Sequence, residues 1–116
     1  MLSATDNAYL NTSEPNTPMG NYLRCHWHPV ALSEEVAKPD CAPIRVKVMG
    51  EDLLLFRDSN GKTGLIEPFC AHRGADLFFG RNEECGIRCI YHGWKYDIHG
   101  NCIDMPNVPK DAAYHG

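Results

Sequence analysis

Two short segments of the sequence each contain one cysteine, one histidine and a closing glycine. The first segment runs from Cys70 to Gly74, and the second runs from Cys89 to Gly93. Thiolates and imidazoles are strong ligands for iron and zinc, so two matched Cys/His pairs indicate a metal site. Such a site must bring the two segments together, and it therefore constrains how the rest of the chain folds.

The four donors Cys70, His72, Cys89 and His92 also indicate which centre they hold. Two cysteines can hold one iron of a [2Fe-2S] cluster while two histidines hold the other, with each loop supplying one of each. A structural Cys2His2 zinc site is the alternative. A zinc protein is colourless, so the colour of the purified protein separates the two interpretations.

Size and composition are those of a soluble globular protein. The 116 residues give room for one domain, and contents of 43% hydrophobic and 22% charged residues are ordinary. The net charge of −4 gives no sign of the basic face that nucleic acid requires. No apolar run approaches a membrane span, and the first residues lack the features of a signal peptide. We therefore expect a cytoplasmic protein that binds neither nucleic acid nor membrane.

Six cysteines in so short a chain could also indicate a secreted disulfide framework. Two of them belong to the candidate metal site, and the remaining four show no paired spacing. We expect those four to be reduced thiols, some of them small core residues. They are Cys25, Cys41, Cys85 and Cys102.

The chain between residues 44 and 104 is patterned as short strands joined by turns. Ile44 to Val48 alternates apolar and polar residues, and Asp58 to Gly61 has the composition of a hairpin turn. We predict strands at 44–48, 53–57, 63–67 and 86–88, a pairing of 94–97 with 101–104, and turns at 50–52, 58–61 and 98–100. Many short strands joined by Gly and Asn turns predict an all-β fold, a small antiparallel sandwich or barrel.

The N-terminal part carries weaker patterns. Residues 1–17 are rich in Asn, Ser, Thr and Pro, which predicts an extended or mobile lead-in. Residues 18–30 have enough apolar side chains for a short strand, and residues 33–36 predict one capped helical turn. We predict that the domain itself covers residues 18–116.

Three histidines lie outside the two loops in the part of the sequence that precedes residue 100. His26 and His28 would share one face of a strand, but no third ligand is nearby. We expect them to be surface or hydrogen-bonding residues, and we expect His99 to be exposed in its turn.

The two loops resemble a known motif. The first reads Cys70-Ala71-His72-Arg73-Gly74-Ala75, and the second reads Cys89-Ile90-Tyr91-His92-Gly93-Trp94-Lys95-Tyr96. Together they resemble the Rieske motif of ring-hydroxylating oxygenases. Stretches at 18–24, 27–30, 50–53, 56–58 and 78–82 resemble the phthalate-dioxygenase-like branch, so the resemblance covers roughly residues 17–109. It implies the N-terminal Rieske [2Fe-2S] domain of an oxygenase alpha subunit, with a cluster-binding part at about residues 68–97.

The resemblance also implies roles for residues beside the four ligands. Gly74 and Gly93 would let the backbone approach the cluster closely. Trp94 and Tyr96, together with Phe69, would pack around the cluster and shield it. For Arg73 two interpretations stay open, a solvated surface charge or a cation oriented toward a neighbouring carboxylate.

Departures from the respiratory members of the family predict a low reduction potential. Those proteins carry a disulfide between the two loops and a Ser after the second His-Gly, where this chain has Ala75, Tyr91 and Trp94. Fewer hydrogen-bond donors to sulfur stabilise the reduced state less. We expect a potential at the low end of the roughly −150 to +300 mV Rieske span, which suits an acceptor of electrons from a flavin or ferredoxin reductase.

We expect that no part of these 116 residues supplies the second domain that the resemblance implies. In ring-hydroxylating oxygenases it holds a mononuclear Fe(II) by two His and one carboxylate, whereas here His115 lies in no Asp/Glu-x-x-His pattern. This chain alone should therefore carry single electrons without activating oxygen, and any catalysis would belong to a parent oxidoreductase of aromatic catabolism. In that parent the acceptor would be the catalytic domain of the same or a neighbouring subunit of a homotrimer.

Two explanations of the chain's length stay open at this point. The chain is either the Rieske part of an oxygenase alpha subunit or a complete stand-alone Rieske ferredoxin. Residues 18–36 resemble the leader of the oxygenases, which favours the first. A structural or regulatory iron–sulfur module is a third possibility.

Overall fold

Two antiparallel sheets organise the computed structural model, which describes residues 1–109 and 112. The first sheet has the order β1-β2-β3, and the second has the order β4-β5-β6-β7. The strands are β1 (Ile44–Val48), β2 (Glu51–Arg57), β3 (Thr63–Ile66), β4 (Arg81–Glu83), β5 (Gly86–Arg88), β6 (Lys95–Tyr96) and β7 (Cys102–Asp104). The prediction of an all-β fold of antiparallel strands is confirmed.

The first hairpin joins β1 and β2 through a tight turn. Ile44 pairs with Leu55 and Val48 pairs with Glu51, so the loop between β1 and β2 has two residues, Met49 and Gly50. Both have positive φ, 48° and 82°, as a tight hairpin of this twist requires. The predicted turn at residues 50–52 therefore began one residue too late, because the loop starts at Met49, and ended too late, because Glu51 already belongs to β2.

The second sheet contains a tight hairpin that the sequence did not reveal. Glu83 pairs with Gly86, which leaves Glu84 and Cys85 as the loop, with φ of 49° and 64°. Neither residue is a glycine, so the conformation must be supported by its surroundings. The Lys95 ammonium donates to the Glu84 carbonyl oxygen at 3.2 Å, and the Cys85 amide donates to the hydroxyl of Ser59 at 2.9 Å.

One hydrophobic core joins the two sheets. Its buried members are Leu54, Phe56, Ile66, Cys70, Leu77, Ile87, Cys89 and Tyr96. Burial of each large apolar side chain stabilises the fold by about 1.5–3 kcal/mol. The two cysteines of the candidate loops thus lie at the point where the sheets meet.

The N-terminal part is helical, and here two predictions are wrong. Helix α1 spans Ala4–Asn11 inside the segment predicted to be extended, and helix α2 spans Pro18–Leu23 where a strand was predicted. Side-chain caps explain where both helices begin, because the hydroxyl oxygens of Ser3 and Thr17 accept hydrogen bonds from the backbone amides of Asp6 and Gly20. Helix α1 buries none of its residues, which explains why its sequence lacks the apolar periodicity of a packed helix. The extent of the domain toward residue 116 stays a prediction, because residues 110, 111 and 113–116 lie outside the described chain.

Arg24 attaches this helical part to the first hairpin. Its guanidinium donates to the Met49 carbonyl oxygen at 3.2 Å and pairs with the Glu51 carboxylate at 2.5 Å. A ring nitrogen of His28 lies 2.7 Å from the Leu23 carbonyl oxygen, which confirms a hydrogen-bonding histidine.

Two further short helices complete the fold. The single turn expected at residues 33–36 is confirmed as a 3-10 helix over Ser33–Val36, and a second 3-10 helix spans Leu77–Phe79. Among the described residues, no helix combines the length and the hydropathy that crossing a membrane requires.

Candidate metal centre

The first loop, residues 70–75, is closed by two backbone hydrogen bonds. The Cys70 amide donates to the Ala75 carbonyl oxygen at 2.8 Å, and the Gly74 amide donates to the Cys70 carbonyl oxygen at 2.8 Å. Gly74 has φ of 66°, and a Cβ built on it would meet no atom within 4 Å. The backbone conformation, and not a lack of space, therefore requires glycine at this position.

The second loop, residues 89–94, repeats the same pattern. The Cys89 amide donates to the Trp94 carbonyl oxygen at 2.8 Å, and the Gly93 amide donates to the Cys89 carbonyl oxygen at 3.1 Å. Gly93 has φ of 77°, and a Cβ there would lie 3.1 Å from Cγ of Pro106. The two loops thus share one backbone design although their histidines occupy different positions in it.

The structure separates the four donors into an inner and an outer pair. Cys70 and Cys89 are each 3% exposed and belong to the core. His72 is exposed and His92 is half-buried, and their ring centroids are 4.7 Å apart. The fold therefore brings the imidazoles of the two loops together at the surface and keeps both thiols inside.

The arrangement of the donors, two buried thiols and two adjoining surface imidazoles, fits a binuclear cluster. In the part of the chain that the structure describes, no three His, Cys, Asp or Glu side chains are grouped as ligands of one ion. A cluster with mixed ligation takes only two protein donors at each iron, which the buried thiols and the paired imidazoles can provide.

The hydroxyl of Tyr96 contacts the first loop from the core side. Its oxygen lies 3.2 Å from the Cys70 sulfur and accepts the Ala71 amide at 3.1 Å. Burial, and then the hydrogen bond with Cys70, raise the pKa of Tyr96 well above its usual range. The sequence predicted that Tyr96 shields the site, and the structure adds a hydrogen bond between its hydroxyl and the Cys70 sulfur.

Two aromatic side chains of the second loop lie against the imidazoles. The indole of Trp94 stacks on His72 with centroids 4.7 Å apart and planes 9° apart. The centroid of the Tyr91 ring lies 3.8 Å from that of His92.

The surroundings of His72 lower its pKa. Loss of hydration around the His72 ring is the main cause, followed by the nearby His92 and Arg73. A lowered pKa favours the neutral imidazole that a metal requires.

The remaining predicted neighbours are more exposed. Arg73 is exposed and has no ion pair with another described residue, and both interpretations of its role stay predictions. Phe69 is 57% exposed, although the sequence suggested that it shields the centre. His99 is exposed in its turn, as predicted. All six cysteines lie within the described residues and are free thiols.

An anchor of the first loop was missed by sequence reasoning. The backbone of Phe69 pairs with that of Asp76, on either side of the loop. The carboxylate of Asp76 also forms an ion pair with the guanidinium of Arg45 of β1 at 2.5 Å. The same guanidinium lies 4.1 Å from the ring centroid of Phe78. These contacts fix the base of the first loop on the first sheet.

The corresponding anchor of the second loop is Arg88. Its Nη1 donates to the Gly93 carbonyl oxygen at 2.7 Å and to Asp104 at 2.8 Å, and its Nε donates to Glu83 at 3.0 Å. The hydrogen bond with Asp104 is the main cause that raises the pKa of Arg88. Its position directly before Cys89 was the only indication in the sequence.

Comparison with known proteins shows which family model and which relatives this chain matches. Residues 26–115 match the family model described as the Rieske [2Fe-2S] domain. The chain is 47% identical over 109 residues to the phthalate 4,5-dioxygenase oxygenase subunit of Pseudomonas putida, covering 94% of this chain and 25% of that protein. It is 48% identical over 101 residues to the phenoxybenzoate dioxygenase subunit alpha of Ectopseudomonas oleovorans, covering 87% and 24%.

Solved structures also align with most of this chain over about a quarter of their own length. NdmA of Pseudomonas putida CBB5 aligns with a TM-score of 0.66 and 36% identity, covering 77% of this chain and 28% of that chain. Dicamba monooxygenase aligns with a TM-score of 0.63 and 29% identity, covering 72% and 24%. The chain thus spans about a quarter of the length of the curated relatives it matches.

Proposed function

Because the chain belongs to the Rieske [2Fe-2S] domain family, we propose that its two loops hold such a cluster and that the protein transfers single electrons through it. Cys70 and Cys89 would ligate the inner iron, and His72 and His92 the outer one. The observation that carries this proposal is the meeting of two equivalent loops, with buried thiols and with imidazole centroids 4.7 Å apart.

Each group of residues has its own part in this function. When bound, a cluster of this type accepts and releases one electron. Two neutral imidazoles in place of thiolates remove two negative charges from the ligand set, which makes an added electron more favourable. The surface position of His72 and His92 gives a redox partner access, while the core around Cys70 and Cys89 keeps water from the thiolates.

We assign this domain to the alpha subunit of an aromatic-ring-hydroxylating oxygenase of the phthalate-dioxygenase type. One relative is named as the oxygenase subunit of phthalate 4,5-dioxygenase and another as subunit alpha of phenoxybenzoate dioxygenase, and the chain spans about a quarter of each. The remaining length of such proteins leaves room for a catalytic domain with a mononuclear Fe(II). These relatives support a domain of an oxygenase over a stand-alone ferredoxin.

The partners follow from this assignment. A flavin or ferredoxin reductase would donate the electrons, and the catalytic domain of the same or a neighbouring subunit of a homotrimer would accept them. We further propose a cytoplasmic location, since the four cysteines outside the proposed ligand set are free thiols, which are typical of a reducing compartment.

Metal analysis and spectroscopy of the purified protein test the ligand assignment. We expect a coloured protein with equal amounts of iron and sulfide, whose reduced form has the low average g-value of mixed nitrogen and sulfur ligation. His92→Ala and Cys89→Ser should lose this signal. The matched controls His99→Ala and Cys25→Ser alter exposed residues outside the loops and should keep it. A colourless protein that contains one zinc ion would contradict the proposal.

A further inference from the structure

Arg88 connects three parts of the second sheet to the second loop. It is the last residue of β5, and its guanidinium donates to the Gly93 carbonyl oxygen at 2.7 Å. The same group pairs with Asp104 of β7 at 2.8 Å and with Glu83 of β4 at 3.0 Å. Only 14% of the Arg88 side chain is exposed, whereas the side chains of Glu83 and Asp104 are 36% and 44% exposed.

We propose that Arg88 is a positioning residue for the cluster, an inference that rests on the proposed function. It fixes the segment formed by His92 and Gly93, and its charge raises the reduction potential of the centre that this segment holds.

The positioning part follows from the loop's own hydrogen bonds. The amides of Cys89 and Gly93 are used to close the loop, but the carbonyl oxygen of Gly93 points away from that closure to Arg88. Without Arg88 this carbonyl would lose its partner at the residue that follows a proposed ligand, His92. Among the described residues, no side chain does the same for Gly74 of the first loop.

The electrostatic part follows from the charges around the guanidinium. A cation near a redox centre stabilises the state with the additional electron, and an anion destabilises it, more strongly where water is excluded. Removal of the Arg88 charge should therefore lower the potential, and removal of the Asp104 charge should raise it. Both substitutions break the same ion pair, so a purely structural role would not give shifts of opposite sign.

Arg81 provides a matched control. It is the cross-strand partner of Arg88, and it pairs with the same carboxylate, that of Glu83, at 3.3 Å. Its side chain is 68% exposed and, among the described residues, forms no hydrogen bond or ion pair with the second loop. Arg81→Gln therefore removes a charge from the same carboxylate without touching the loop.

The test compares the wild-type 116-residue chain with Arg88→Gln, Arg88→Lys, Asp104→Asn and Arg81→Gln. Reduction potential is measured by optical titration, and cluster retention by the rate of iron release to a chelator. Arg88→Gln should lower the potential and release iron about 10-fold faster or more, the size of effect that follows the loss of a group that orients a metal ligand. Asp104→Asn should raise the potential, and Arg81→Gln should change neither quantity.

Arg88→Lys separates charge from positioning. It keeps the charge and should restore the potential, but one ammonium lacks the planar fork that reaches Gly93 and Asp104 together. Iron release should therefore stay faster than in the wild type.

The proposal is overturned if Arg88→Gln and Asp104→Asn shift the potential in the same direction, or if Arg81→Gln shifts it as much as Arg88→Gln. If Arg88→Gln does not fold, an unchanged potential in Asp104→Asn overturns it. A wild-type chain without a cluster removes the proposed function and this inference together, whereas a normal cluster with unaltered variants removes this inference alone.

Discussion

The hydroxyl oxygen of Tyr96 lies 3.2 Å from the sulfur of Cys70, inside the core that joins the two sheets. Because the amide of Ala71 donates to this oxygen, the hydroxyl hydrogen is available to the sulfur. A hydrogen bond to a ligating sulfur favours the more negative, reduced state of a cluster. We therefore expect Tyr96→Phe to lower the reduction potential while keeping the buried ring in place.

Potentiometric titration checks this expectation, with Tyr22→Phe as an exposed control that should leave the potential unchanged. Burial and the bond with Cys70 raise the pKa of Tyr96, so its hydroxyl stays protonated past the usual tyrosine pKa of about 10. The difference between wild type and variant should accordingly persist to at least that pH. An equal potential in the two proteins would show that the hydroxyl does not act on the centre.

Gly74 tests whether backbone conformation alone requires glycine in the first loop. Its φ is 66° and a Cβ would meet nothing within 4 Å, so a substitution introduces strain without a clash. Asparagine tolerates this conformation, whereas a β-branched residue does not, with a cost of about 1–2 kcal/mol. We expect Gly74→Asn to retain iron and Gly74→Val to lose much of it, as measured by iron content after purification. Equal loss in both variants would indicate a requirement for space.

The second sheet shows how far the sequence could predict this fold. Strands with alternating or apolar residues were found, but β4 (Arg81–Glu83) was not, because it contains no apolar residue. Asn82 holds it in place, since its amide donates to the carbonyl oxygens of Cys41 at 2.9 Å and Arg57 at 2.7 Å. Such contacts join residues 25 and 41 positions apart, and no local pattern announces them.

The N-terminal helices were missed for a different reason. Helix α2 begins with Thr17 as its cap and Pro18 in its first turn, a pair that the sequence displays and that favours a helix start. The prediction gave more weight to the apolar residues of the segment. Helix α1 buries none of its residues, so only the cap at Ser3 could have indicated it.

The candidate site likewise contains some residues that the sequence could predict and others that it could not. Spacing within the two loops was enough to select the cysteines and histidines, because each loop carries its own donors. The roles of Arg88 and Asp104 could not be predicted, since 16 residues separate them and only the pairing of four strands brings them together.

Trp94 provides a test of how the exposed imidazole is held. Its indole stacks on His72 with centroids 4.7 Å apart, and such aromatic pairs contribute about 0.5–1.5 kcal/mol. We expect Trp94→Ala to accelerate iron release by roughly 2- to 10-fold, which corresponds to that energy. Trp94→Phe should release iron more slowly than Trp94→Ala because it keeps a stacking ring. Trp27→Ala, which removes a fully exposed indole far from the loops in sequence, is the control and should leave the rate unchanged.

The carboxylate of Asp97 organises the turn between β6 and β7 and predicts an acid-dependent loss of stability. Its Oδ1 accepts the amides of His99 and Asn101, each at 2.9 Å, and its Oδ2 accepts the Asn101 side-chain amide at 3.1 Å. Partial burial would raise the pKa of Asp97, but these hydrogen bonds together lower it below its usual value. Its contribution to stability is therefore complete above the unfolded pKa of about 3.9 and is lost as the pH falls through the lower folded pKa.

Asp97→Asn keeps one acceptor oxygen but loses the charge and the second oxygen. We expect it to lower the free energy of unfolding by about 1 kcal/mol near neutral pH. The difference in melting temperature between wild type and variant should begin to shrink below the unfolded pKa of about 3.9, and it should reach its minimum only below the lowered folded pKa, where both side chains are neutral. Acid loss of the cluster affects both proteins alike and leaves this difference interpretable. Asp52→Asn, at a carboxylate that is 70% exposed, should change stability little at any pH, because exposed ion pairs contribute little. A constant difference between Asp97→Asn and wild type across this range would mean that the charge of Asp97 does not stabilise the turn.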